Sequence, residues 1–139
     1  NYIRSLIDNL NESLALNRFS AKIEFQPKII RLDLDTAISV GLILNELVTN
    51  SMKYAFLNRT DGIIYISLQE RVKGNYTLTI SDNGPGFPPD FDSKTSRSLG
   101  TRLVRQLTKQ LHGTLVARNS PGATFEITFL DAEAQKQLN

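Results

Sequence analysis

The chain has 139 residues, 40% of them hydrophobic and 22% charged, which fits one globular domain with a real core and excludes a disordered tail or a fibre. Sixteen basic residues stand against fourteen acidic ones, and a formal charge of +2 is too even to point to nucleic acid or an anionic membrane surface as a partner. Cysteine is absent, which excludes disulfides, thiolate zinc sites and cysteine nucleophiles, and a single histidine, His112, is a poor basis for a metal cluster or a Ser-His-Asp triad.

In chain order, Ile3, Leu6, Ile7, Leu10 and Leu14 recur at helical spacing and predict an amphipathic helix over residues 2–18. Residues 21–26 alternate as a strand, Pro27 breaks it, and residues 29–33 read as a second short strand. A long helix is expected next, with Asp35 as its N-cap and an end near residue 57. Beyond the Asp61-Gly62 turn, residues 63–72 and 76–81 form strands joined by a turn at Gly74-Asn75. Residues 82–98, with three prolines and two glycines, read as a loop. A helix over about residues 101–111, capped by Gly113, leads into a closing hairpin of residues 114–118 and 123–129. Hairpins outnumber crossovers, so the expected fold class is an α/β (α+β) two-layer sandwich: a mixed, largely antiparallel sheet with helices on one face. No apolar run reaches membrane-spanning length and no signal peptide is evident, and Asn1 in place of an initiator Met fits a piece of a longer protein.

Three local patterns carry chemistry. On the long helix, Glu46, Asn50 and Lys53 fall at i, i+4 and i+7, one narrow stripe opposite Val40, Leu44, Leu47, Val48, Ser51 and Ala55. A carboxylate that can orient a nucleophile, an amide oxygen that suits Mg2+ and a phosphate-pairing ammonium make a phosphate-handling set. A solvated helix face with a loose Glu–Lys pair explains the same stripe more plainly. The second pattern is Asp82, which by period two shares a side with Leu78 and Ile80. A carboxylate carried toward a core needs donors, and a purine amino group is one; the following Gly84 and Gly86 let backbone approach a flat base or a phosphate. Turn formation by Asp-Asn-Gly-Pro-Gly is the alternative. The third is the stretch Ser98-Leu99-Gly100-Thr101, which opens a helix whose free N–H groups suit a phosphate. His112 reads as a structural residue near a helix end.

In their order along the chain these segments resemble the ATP-binding domain of sensor histidine kinases. The run Leu42-Ile43-Leu44-Asn45-Glu46-Leu47-Val48-Thr49-Asn50-Ser51-Met52-Lys53-Tyr54-Ala55-Phe56 is similar to the family's N box. Asp82-Asn83-Gly84-Pro85-Gly86-Phe87 resembles the first glycine box, Ser98-Leu99-Gly100-Thr101-Arg102-Leu103-Val104 the second, and Gly122-Ala123-Thr124-Phe125 the final glycine-containing turn. The wording Asn-Glu-Leu-Val-Thr-Asn resembles the subgroup attached to PAS-type sensory domains. Two departures stand out: Ser98 where the family has Gly, and Thr101 where it has Leu.

The resemblance implies the Bergerat ATP-binding fold of the GHKL superfamily, with ATP and Mg2+ as ligands and two-component signalling as the setting. It implies that Asn50 binds Mg2+, Glu46 polarises the nucleophile, Lys53 and Tyr54 hold phosphates and nucleotide, and Asp82 receives the adenine amino group. Gly84, Gly86, Phe87, Leu99 and Gly100 would shape the pocket and the hinge of a lid over residues 88–98, and Thr124 would sit near the adenine end. Residues 1–18 would be a connecting helix and residues 19–139 the ATPase domain. The partners implied are an upstream dimerisation domain with the acceptor histidine and a response regulator downstream, in a homodimer that is cytoplasmic or has this domain as the cytoplasmic portion of a membrane sensor; nucleic acid, and membrane contact by this domain itself, are not expected. An anti-sigma-factor serine kinase, a non-catalytic ATP-binding regulator and a gyrase-like ATPase share the fold and stand as alternatives.

Overall fold

The elements follow in the order α1 (Tyr2–Leu16), β1 (Ser20–Gln26), α2 (Leu34–Asn50), β2 (Ile63–Val72), β3 (Asn75–Asp82), α3 (Leu99–Gln110), β4 (Thr114–Asn119) and β5 (Ala123–Leu130). The computed structural model describes residues 2–16, 20–26, 32–52, 62–86, 99–119 and 122–131. The five strands form one sheet in the order β1-β2-β3-β5-β4. Among the described residues only the β1–β2 pair is parallel, and β2–β3, β3–β5 and β4–β5 are antiparallel. The two-layer, mixed and largely antiparallel sandwich expected from the sequence is therefore the fold observed.

Period-two alternation divides the sheet. Ile64, Ile66 and Leu68 of β2, Leu78 and Ile80 of β3, and Ile127 and Phe129 of β5 form one buried face. The helices cover that face with Ile3 and Ile7, then Val40, Leu44, Leu47 and Val48, then Val104, Leu107 and Leu111. Each fully buried aliphatic side chain contributes about 1.5–3 kcal/mol, so this shared cluster is what fixes the helices on the sheet. None of the helices among the described residues is long and apolar enough to cross a membrane.

The single parallel pair decides where the functional groups meet. Parallel neighbours cannot be joined by a tight turn, so the chain leaves β1, crosses over through α2 and returns to start β2. The C-terminal end of α2 is thereby delivered to the end of the sheet where β2 begins. Ile64 near the start of β2 pairs with Asp82 at the end of β3, and Ser81 pairs with Thr124 near the start of β5. Helix end, strand end and strand start converge there.

Several local expectations are corrected. The N-cap of α2 is Asp33, not Asp35: its Oδ2 accepts the Thr36 N–H at 3.2 Å and its Oδ1 the Thr36 hydroxyl at 2.5 Å. Thr36 stands three residues on, the position whose free N–H a cap must satisfy, while Asp35 lies in the first turn and complements the helix dipole. Leu32 and Asp33 precede that helix and are not strand; the rest of the strand expected over residues 29–33, and the helix beyond Met52, lie outside the described residues. The β2–β3 turn is at Lys73 and Gly74, one residue earlier than expected, with the Gly74 N–H on Glu70 Oε2 at 3.0 Å.

The end of α3 also differs. The left-handed residue is His112 (φ 53), not Gly113. The Gly113 N–H reaches the Thr108 carbonyl and the His112 N–H the Lys109 carbonyl, both at 3.0 Å, a Schellman pattern. Gly113 is small for another reason: a Cβ there would run into the Thr128 carbonyl oxygen of β5.

One buried phenol gives the fold a pH dependence. Tyr76 stacks on Phe129, with ring centroids 5.5 Å apart, and burial together with the Glu70 carboxylate pushes its pKa from 10.0 up to about 12. The folded chain thus keeps the phenol neutral after the unfolded chain ionises. The contribution is complete below pH 10 and is lost as pH rises toward 12, for a total of about 2–3 kcal/mol. Urea denaturation at pH 9 and pH 11.5 should show that loss, and Tyr76→Phe should flatten it.

Candidate functional site

The site is built around Asp82, the last residue of β3, which is only 3% exposed although it ends a strand. It keeps the parity of Leu78 and Ile80, so its side chain leaves from the core face. An ionised carboxylate at that depth requires hydrogen-bond donors. Three are in place. The Gly84 N–H reaches Oδ1 at 2.9 Å and the Ala123 N–H reaches the same oxygen at 3.3 Å. The Ser51 hydroxyl donates to Oδ2 at 3.2 Å. A carboxylate has about four lone-pair positions, so among the described residues one position on Oδ2 is left over.

Each donor arrives from a different element. Ser51 follows the last residue of α2, where the helix widens into a π-type turn at Ser51 and Met52, and its N–H is shared between the Leu47 and Val48 carbonyls. On the helical wheel Ser51 projects from the middle of the buried face, between Leu44 and Leu47, which aims its hydroxyl at the end of β3. Gly84 comes from the loop after β3. Asn83 pins that loop to β2, accepting the Ile63 N–H on Oδ1 at 2.9 Å and donating its own N–H to the Ile63 carbonyl at 3.2 Å. Ala123 opens β5, on the far hairpin.

Two glycines make the approach possible. A Cβ on Gly122 would collide with the backbone carbonyl oxygen of Asp82 and lie 2.7 Å from its Oδ1. Gly86 has φ +86, and a Cβ on it would lie 2.5 Å from Oδ1 of Asn119 at the end of β4. The hairpin that joins β4 to β5 therefore closes on the glycine loop from one side while α2 closes on Asp82 from the other. Thr124 occupies the alternate parity, opposite Ser81, and its hydroxyl bonds the Gly122 carbonyl at 3.3 Å; the β5 residue that meets Asp82 is Ala123.

Glu46 and Asn50 are half-buried on the flank of α2, one turn apart, and Asn50 immediately precedes Ser51. The carboxylate and amide of the stripe are thus on the helix end that reaches Asp82. Leu99 and Gly100 form the first turn of α3, which packs along α2. Lys53, Tyr54 and Phe87, and residues 88–98, lie outside the described residues. Among the described residues no three His, Cys, Asp or Glu side chains converge on a common point for a metal. A divalent ion held through Asn50 would draw most of its oxygen ligands from a bound phosphate and water, a donor set suited to Mg2+.

In the sequence Ser51 falls among the apolar residues of the core face of the long helix, and Gly122 carries no separate role. The signal for Ser51 was its hydroxyl in the centre of an otherwise apolar face. Gly122 stands in the final glycine-containing turn of the resemblance, but its contact with Asp82 needs the knowledge that β5 lies beside β3.

Residues 35–133 match the family described as histidine kinase-, DNA gyrase B-, and HSP90-like ATPase. Blue-light-activated histidine kinase 2 of Erythrobacter litoralis (strain HTCC2594) is 31% identical over 111 residues, 79% of this chain and 32% of that protein. The sensor histidine kinase PdtaS of Mycolicibacterium smegmatis is 30% identical over 97 residues, 69% of this chain and 19% of its own length. The chain therefore spans about a third or less of these relatives. Among solved structures, the histidine kinase domain of the Erythrobacter litoralis EL346 blue-light activated kinase superposes with a TM-score of 0.78 at 26% identity, covering 98% of this chain and 62% of that one.

Proposed function

Because the chain belongs to the family of histidine kinase-, DNA gyrase B- and HSP90-like ATPases, we propose that it binds MgATP against Asp82 and donates the γ-phosphoryl group to a histidine on a dimerisation domain, in two-component signalling. The observation that supports this reading best is the convergence of α2, the loop after β3 and the start of β5 on one buried carboxylate with a single lone-pair position to spare. An exocyclic amino group of adenine is a donor of the right kind for that position. Gly84 and Gly86 let the chain pass close to the flat base. The first turn of α3, at Leu99 and Gly100, offers free N–H groups to the phosphates.

Asn50 would hold the metal ion, which when bound with the triphosphate neutralises its charge. Glu46, one turn before Asn50, would orient the acceptor imidazole and take up its proton. Lys53 would balance the phosphate charge, and Tyr54 and Phe87 would contact the nucleotide. The reaction needs little covalent help from the protein, since positioning and charge neutralisation account for most of the acceleration in phosphoryl transfer. The acceptor domain, a response regulator downstream, a homodimer and a cytoplasmic setting complete the proposal.

Phosphotransfer is tested by adding γ-labelled ATP to the chain together with a dimerisation domain bearing an acceptor histidine. Acid-labile label should appear on that domain, and Glu46→Gln should slow its appearance while leaving nucleotide affinity within about twofold. Label on a serine, or none on either partner, would overturn the reading. The metal assignment is tested by titrating a non-hydrolysable ATP analogue with and without Mg2+. Asn50→Ala should bring the affinity in Mg2+ down to about the Mg2+-free value; an undiminished Mg2+ effect contradicts the assignment.

A further inference from the structure

We propose that Ser51 is a positioning residue that makes the site select adenine over guanine. The inference rests on the nucleotide reading above and extends it from binding to the choice of base. The two oxygens of Asp82 are not equivalent: Oδ1 already accepts the Gly84 and Ala123 N–H groups, at 2.9 and 3.3 Å. It has no lone pair left for a ligand. Oδ2 accepts the Ser51 hydroxyl at 3.2 Å, which leaves it one position.

That count matches one purine edge and mismatches the other. Adenine brings one amino group to a carboxylate, and one vacancy receives it. Guanine brings a pair of adjacent donors, its ring N–H and its 2-amino group, and pairs best with a carboxylate that offers two positions. With Oδ1 saturated and half of Oδ2 taken by Ser51, one guanine donor is left buried and unpaired, which is the costly outcome. Ser51 also fixes the carboxylate rotation, because its hydroxyl comes from α2 while the other two donors come from the loop after β3 and from β5. The carboxylate is held from both sides and cannot turn a second oxygen to the ligand.

Removing the hydroxyl returns a second position to Oδ2, so the preference should narrow rather than the affinity simply fall. The test compares non-hydrolysable ATP and GTP analogues by calorimetry on the wild-type chain, Ser51→Ala and Ser51→Thr. The ratio of their dissociation constants should shrink by roughly tenfold in Ser51→Ala, and Ser51→Thr, which keeps the hydroxyl, should restore it. Should the alanine variant fold poorly, Ser51→Cys, close in size with a weak donor, is expected to shrink the ratio in the same direction. A ratio unchanged in these variants, or both analogues weakened equally, overturns the role given to Ser51 while leaving the nucleotide site in place. A wild-type chain that binds neither analogue overturns the nucleotide site itself.

Discussion

Gly122→Ala is expected to cost about 1–3 kcal/mol of folding stability and to abolish most nucleotide binding at the same time. The new methyl group would occupy the space of the Asp82 backbone carbonyl and press on the carboxylate's Oδ1. Backbone on both sides offers no flexible side chain to swing aside, so the β4–β5 hairpin must move away from β3. The first bond to go is the one from the Ala123 N–H to Oδ1, already long at 3.3 Å. Its loss leaves a carboxylate that is 3% exposed with one donor fewer, and the site widens where the base should lie. Thermal unfolding without nucleotide should show a midpoint lowered by several degrees, and calorimetry with an ATP analogue should show a dissociation constant raised at least tenfold. A variant with wild-type stability and affinity would mean that the hairpin does not close on Asp82.

Asp82→Asn should separate the two roles of that residue. The amide oxygen can still accept the Gly84 and Ala123 N–H groups. The amide NH2 then takes the place of Oδ2, and Ser51 can turn its hydroxyl to accept from it. The protein's own bonds are therefore largely recovered, and stability should change by no more than about 1 kcal/mol. A purine amino group fares differently, because it now meets N–H where it needs a lone pair. Affinity should fall by roughly 1.5–3 kcal/mol, about 10- to 150-fold, the scale of a lost hydrogen bond to a charged acceptor. Near-wild-type affinity in this variant would remove adenine from Asp82.

The parts of this site that could be read from sequence are those set by local periodicity. Period two carries Asp82 to the side of Leu78 and Ile80, and that side faces the core. The 3.6-residue period groups Glu46 with Asn50 and separates them from Val40, Leu44 and Leu47. Fold class follows from the same reasoning, since short strands at turn signals leave few topologies. What periodicity does not convey is which distant residues meet. Ser51 and Asp82 are 31 residues apart and Asp82 and Ala123 are 41 apart, and both contacts depend on the β1–β2 crossover and on β5 lying beside β3. For the cap of α2, Asp33 and Asp35 are equally good residues in the sequence, and only the partner, Thr36, decides between them. At the end of α3 the sequence points to Gly113 as the cap, whereas His112 takes the left-handed conformation and Gly113 is needed to clear β5.

If Asp82, held by Ser51, Gly84 and Ala123, receives the base of an adenine nucleotide, the amides around it report its arrival. An amide-resolved NMR titration of the chain with a non-hydrolysable ATP analogue in Mg2+ tests it most directly. Saturable shifts should be largest at the backbone amides of Ser51, Gly84 and Ala123 and small in the α1 helix. Saturation by the analogue with those three amides unmoved would contradict the claim.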